Sequence, residues 1–200
     1  VYLSSNDDDL PSNHIYNRQV VSSKGCITTD QIPGTSQLRT MYNDSGFKKF
    51  LSKVLEIEEL HPYEDPLSSI NVHYASSGQE LGWHFDNSAF AITLLLQKPE
   101  AGGNFEYVPK IRDSSRGEMN FDAVGNIVNN SVSDDTVKIL EMHAGTLVLF
   151  RGRDSLHRVT KVKGDTTRIL IVLAYNEKPG VELSKEARMT FFGRTGNEQE

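Results

Sequence analysis

Beyond Pro66 the chain breaks into eight short runs rich in β-branched and aromatic residues, and this recurrence constrains the fold more than any other feature. The runs cover residues 69–75, 81–86, 90–97, 104–108, 136–142, 146–151, 156–162 and 168–176. Breaks such as Ser76-Ser77-Gly78, Ala101-Gly102-Gly103, Ala144-Gly145 and Lys163-Gly164-Asp165 hold residues that accept tight turns or positive φ. Short strands at such spacing predict an all-β sandwich or barrel. Residues 109–135 are the exception: Met119, Ala123, Val124, Ile127 and Val128 predict a short helix there. Insertions of that length in compact domains often serve as lids.

Ahead of the β-rich part, Phe47, Phe50, Leu51, Val54 and Leu55 recur at intervals of three and four behind an Asp44 or Ser45 cap, which predicts an amphipathic helix. Residues 1–36 mix Ser, Asn, Asp, Pro and Gly with scattered apolar residues and read as loop, with Asp7-Asp8-Asp9 solvated. At 200 residues a single domain over 1–200 is expected. Its N-terminal loops and helix would occupy 1–66 and its β core 67–195.

Charge and composition narrow the partners. Hydrophobic residues at 37% and charged residues at 24% suit a folded chain, and a net charge of −6 argues against polyanions, so no nucleic acid is expected. Cys26 is the single cysteine, which excludes an intramolecular disulfide and suits a reducing, cytoplasmic setting. Apolar runs such as 169–174 fall far short of the roughly 20 residues that cross a bilayer. No membrane partner is expected, and residues 1–10 show no signal-peptide pattern.

The chemistry concentrates in Gly82-Trp83-His84-Phe85-Asp86. Side chains alternate along a strand, so His84 and Asp86 would share one face. His157, on another predicted strand, would complete a set of two imidazoles and one carboxylate, the facial arrangement that holds non-haem Fe(II) and leaves positions open. Taken alone, His-x-Asp is equally the pattern of a hydrogen-bonded surface pair, and His157 that of a structural histidine. Arg168 opens the apolar run 168–176, where a buried guanidinium must meet an anion, its fork suiting a carboxylate. The alternative is a strand-end arginine exposed beside Asp165.

In this order the residues resemble the Fe(II)- and 2-oxoglutarate-dependent oxygenases, which carry His-x-Asp, a distal His and a downstream basic residue on a double-stranded β-helix. The segments Gly102-Gly103-Asn104-Phe105-Glu106-Tyr107-Val108-Pro109, Gly145-Thr146-Leu147-Val148-Leu149-Phe150-Arg151-Gly152-Arg153 and His157-Arg158-Val159-Thr160 are similar to the branch that modifies free amino acids, which includes hydroxylases and carrier-independent halogenases. The resemblance covers roughly residues 69–195. It implies a mainly β, jelly-roll, cupin-like fold with flanking helices, and the cofactors Fe(II), 2-oxoglutarate and O2. The metal ligands would be His84, Asp86 and His157, with Arg168 on the far carboxylate of the cosubstrate. In the halogenases a small residue replaces the carboxylate so that chloride can bind; Asp86 therefore points away from halogenation.

The same resemblance implies a small polar substrate, a free amino acid or derivative, that is hydroxylated or, alternatively, cyclised or desaturated. Tyr74 and Thr93 are candidates to help bind 2-oxoglutarate; Asn87, Arg153, Arg158 and Phe192 are candidates for the substrate. Each also reads as a core, salt-bridge or surface residue. Rivals from other classes are a cupin-like module that binds without turnover and a zinc hydrolase on the same ligands.

Overall fold

β-branched and aromatic runs bounded by turns form short strands, and here they pair in antiparallel ladders mostly with strands distant in the chain. The computed structural model describes residues 7–86, 88, 90–131 and 134–196. Its strands are β1 (Gly25–Ile27), β2 (His61–Pro62), β3 (Ile70–Ala75), β4 (Leu81–His84), β5 (Ala91–Gln97), β6 (Ala101–Gly102), β7 (Phe105–Val108), β8 (Lys138–Leu140), β9 (Leu147–Phe150), β10 (Leu156–Val159), β11 (Val162–Lys163), β12 (Arg168–Leu173) and β13 (Tyr175–Asn176). A larger sheet runs β1-β3-β12-β5-β9 and a smaller one β4-β10-β7-β8, with β6–β11 and β2–β13 as two-stranded ladders. The architecture is mainly β, of the jelly-roll type.

Register decides which side of the larger sheet is which. Ile171 lies opposite Val72 and Leu94, and Leu173 opposite Ile70 and Ile92, so these side chains share one face. Helices α1 (Gln37–Asn43) and α2 (Ser45–Leu55) cover that face, and Tyr42, Leu51 and Leu55 join it in one apolar core. The Asp44 carboxylate accepts the Phe47 N–H at 2.6 Å, the predicted cap. Only part of the predicted stripe is buried: Phe50 and Val54 are 50% and 54% exposed. Each lies one residue before Leu51 or Leu55, about 100° round the helix from the packed line.

The opposite face of the larger sheet carries Asn71, His73, Ala75, Thr93, Phe150, Arg168 and Leu170, and it meets the smaller sheet. Phe150 packs edge-on against Phe105 at 5.0 Å and His157 at 4.9 Å. Behind the smaller sheet, helix α3 (Phe121–Val128) buries Val124, Ile127 and Val128 against Trp83, Phe85, Val108 and Leu156. The 109–135 insertion thus forms the predicted helix, but it backs the sheet rather than covering the space between the sheets.

The predicted strands are trimmed and divided. Run 81–86 ends as a strand at His84, 156–162 splits into β10 and β11, and 168–176 splits at Ala174, whose N–H turns to the Ser69 carbonyl at 3.0 Å. Run 136–142 shortens to β8 behind a single 3-10 turn. Part of the expected loop over 1–36 is structured: β1 pairs with β3, and 3-10 turns form at Ile15–Asn17 and Thr29–Gln31. A strand of three residues is too short to show periodicity. Helix α4 (Lys185–Phe192), capped by Ser184 and ended at Gly193 in the left-handed region, is tied back by Arg188 to Asp65 at 2.7 Å. Among the described residues no helix is long and apolar enough to cross a membrane.

Candidate metal centre

Antiparallel pairing brings the two histidines together. His157 of β10 lies directly opposite His84 of β4, so both rings stand on the face turned to the larger sheet, centroids 4.0 Å apart. Each Nδ1 sits on a local carbonyl, His84 on Gly82 at 2.8 Å and His157 on Ser155 at 2.9 Å. Donation through Nδ1–H leaves each Nε2 lone pair directed away from its own strand, the tautomer a metal requires.

Asp86 follows the end of β4, and its N–H donates to the Gly152 carbonyl at 3.1 Å. Its Oδ1 lies 3.4 Å from His157 Nε2 and 3.8 Å from His84 Nε2. One ligand atom from each of the three residues falls within 4.8 Å of the others. Burial, then the nearby His157, pushes His84 down to about 4, so its ring is neutral near pH 7. Burial alone would raise Asp86, but the neighbouring His157, then His84, outweighs it and keeps the carboxyl below its ordinary value. A neutral imidazole beside an ionised carboxylate is the form that binds a divalent cation. Asp86 Oδ2 is buried without a hydrogen-bond partner. Two nitrogens and one oxygen converging from one side fit Fe(II) with positions left open.

Arg168 begins β12 opposite Ala75 and is 5% exposed. Its Nε donates to the Gly103 carbonyl at 3.1 Å, while Nη2 is buried with no partner. Burial alone lowers this guanidinium to about 10. The reading as an exposed arginine beside Asp165 is therefore overturned. Arg168 borders a cavity of about 40 Å³ together with Lys24, His73, Tyr74, Glu80, Leu81 and Val159. Burial also pushes the Lys24 ammonium down, and burial with the charges of Lys24 and Arg168 holds His73 well below its usual range. Glu80 is engaged by Lys161 at 3.6 Å. A carboxylate would satisfy the open end of the Arg168 fork.

The remaining candidates separate by the pleat. Thr93, opposite Val172 and Val148, shares the inner face with Arg168. Tyr74 pairs with Ile169, one position out of phase with Arg168, so it stands on the other face, 41% exposed, with its ring over Gly25. Arg158 likewise alternates with His157; it pairs with Glu106 at 2.7 Å and lies 4.6 Å over the Trp83 ring, behind the smaller sheet. Arg153 is exposed in the turn before β10, where its carbonyl accepts from Arg112 at 2.9 Å. Phe192 ends α4, its ring 6.3 Å from that of Phe191. Arg158 thus stands away from the two histidines, whereas Tyr74 still borders the Arg168 cavity; Asn87 lies outside the described residues.

Three residues of this region escape sequence reasoning. Lys24 immediately precedes β1, whose pairing has no periodic signature. His73 has no carboxylate two positions away, and only the register of β3 against β12 sets it beside Arg168. Gly152 stands in the 145–153 stretch with no role of its own assigned by sequence, and its contact with Asp86 depends on the fold.

The family model described as Halogenase D matches residues 19–192. Among solved structures, a 2OG-Fe(II) oxygenase family oxidoreductase from Burkholderia pseudomallei superposes with a TM-score of 0.54 at 13% identity, over 81% of this chain and 68% of that one. That likeness establishes the fold. A prolyl-4-hydroxylase from Pseudomonas putida gives a TM-score of 0.44 at 14% identity, over 74% of this chain and 65% of that one. One from Phytophthora capsici gives 0.47 at 15%, over 86% and 55%. Among curated proteins none matches.

Proposed function

The chain belongs to the Halogenase D family, and from that premise we propose that it hydroxylates a free amino acid or a derivative, with Fe(II) held by His84, Asp86 and His157 and 2-oxoglutarate anchored by Arg168. It is a 2-oxoglutarate-dependent oxygenase, an oxidoreductase whose cofactors are Fe(II), 2-oxoglutarate and O2. Bound iron supplies the oxidising power: O2 and 2-oxoglutarate yield succinate and CO2, and one oxygen atom enters a C–H bond of the substrate. The chain's own part is placement. The carbonyls of Gly82 and Ser155 fix the histidine tautomers, Asp86 supplies the negative charge, and Arg168 would fix the cosubstrate's far end.

The observation that carries this reading is the position of Asp86 Oδ1, 3.4 and 3.8 Å from the two Nε2 atoms. A carboxylate there occupies the place a halide would need, which supports oxygen transfer over halogenation within this family. Assignment of the substrate as an amino acid rests on the family and on the resemblance of the Gly102–Pro109 stretch. The test is incubation with Fe(II), 2-oxoglutarate, air, chloride and a panel of the standard amino acids, following succinate and product mass. Substrate-dependent succinate with a product one oxygen heavier is expected; a chlorinated product, or turnover that needs neither O2 nor 2-oxoglutarate, would contradict it.

A further inference from the structure

We propose that Gly152 is a positioning residue for the carboxylate arm of the metal centre: the absence of its side chain is the space into which Asp86 Oδ2 packs. This rests on the reading of His84, Asp86 and His157 as ligands and goes beyond it. A Cβ built on Gly152 would fall inside the van der Waals envelope of Asp86 Oδ2 and Cγ, and 3.0 Å from Asp86 Cβ. The backbone itself does not call for glycine there, because φ of Gly152 lies outside the left-handed region that Gly145 and Gly164 occupy. Gly152 is buried, and its carbonyl already holds the Asp86 N–H at 3.1 Å. Glycine at 152 therefore answers to the aspartate and not to the turn.

The consequence for the metal follows from the two carboxylate oxygens. Oδ1 faces both imidazoles, whereas Oδ2 is buried with no hydrogen-bond partner, so packing rather than bonding holds that side of the group. The bare Cα of Gly152 is the wall behind it. A methyl group there would displace Oδ2, rotate or withdraw the carboxylate, and take Oδ1 out of reach of a shared ion. Residues 86 and 152 thus act as a coupled pair, and a change at either one opens the third protein position.

Anaerobic titration of Co(II), a spectroscopic substitute for Fe(II), into the wild type, G152A, D86G and the double variant tests this, with azide added to each loaded protein to compare the metal's remaining ligands. The expected result is that G152A weakens Co(II) binding about 10- to 100-fold in the presence of Asp86 and changes it less than about 2-fold in the D86G background. The azide-bound Co(II) spectrum of G152A should match that of D86G and differ from that of the wild type, whose carboxylate remains on the metal, with melting temperatures of the metal-free proteins alike. Equal loss in both backgrounds would mean general distortion and overturn the proposal, as would wild-type affinity in G152A. A wild type that takes up no Co(II) overturns the ligand assignment and this inference with it, whereas unaltered G152A beside a wild type that binds refutes the Gly152 role only.

Discussion

His84 and His157 face each other across the β4–β10 pair with their ring centroids 4.0 Å apart, each anchored through Nδ1 to the carbonyl two residues earlier in the chain. Two imidazoles of this kind are preset for a metal before any metal arrives. Replacing either by Ala should reduce iron to well below one equivalent, measured by metal analysis after anaerobic loading. Retention of stoichiometric iron by either variant would remove that histidine from the centre.

Arg168 carries a cost in the free protein that its ligand would relieve, since Nη2 is buried without a partner. Arg168→Gln should weaken 2-oxoglutarate binding by about 3 kcal/mol or more, over about 100-fold in Kd. The melting temperature of the cosubstrate-free variant should be no lower than that of the wild type. Calorimetric titration checks the first and thermal denaturation the second. Lys24→Met should produce a smaller loss of about 1 kcal/mol, because Lys24 is only half-buried.

Asp86→Gly should abolish hydroxylation while leaving both histidines in place. With chloride present, the variant should bind the anion at the vacated position, read as a chloride-dependent change in the spectrum of the Co(II)-loaded protein. Undiminished hydroxylation would show that Asp86 does not ligate.

The C-terminal segment is held partly by Arg194, which contacts both carboxylate oxygens of Asp30 at 2.6 and 2.8 Å. Hydrogen bonding to Arg194 is the largest cause lowering Asp30 from 3.8 to about 2. The folded value lies below the unfolded one, so the pair stabilises above about pH 4 and the stabilisation fades as the pH falls towards 2. Because the Arg194 side chain is 37% exposed and screened by solvent, the contribution is about 1 kcal/mol at most. Arg194→Gln should lower the melting temperature at pH 7 by a few degrees, and the difference from wild type should shrink below about pH 3. A gap that persists at pH 2 would assign the effect to packing.

The sequence makes the strands legible because turn residues punctuate them, and it makes His84, Asp86 and His157 legible because their types and order are unusual together. It does not reveal pairing register, and register decides which face of its sheet each secondary candidate stands on. Thr93 and Tyr74 read alike as strand residues; one pleat position turns Thr93 to the inner face and Tyr74 to the other, over Gly25, where it still borders the Arg168 cavity. Arg158 fails as an inner-face residue for the same reason, being adjacent to His157 and so on the other face. Lys24 and Gly152 are invisible in the sequence because their roles arise from contacts with Arg168's cavity and with Asp86, neither of which any local pattern encodes.

The most direct test of the account is a crystal grown anaerobically with Fe(II) and 2-oxoglutarate, with diffraction measured on both sides of the iron absorption edge. A single anomalous peak should lie between His84 Nε2, His157 Nε2 and Asp86 Oδ1, with the far carboxylate of the cosubstrate on the Arg168 guanidinium. Iron elsewhere, or a cosubstrate that leaves Arg168 untouched, would contradict it.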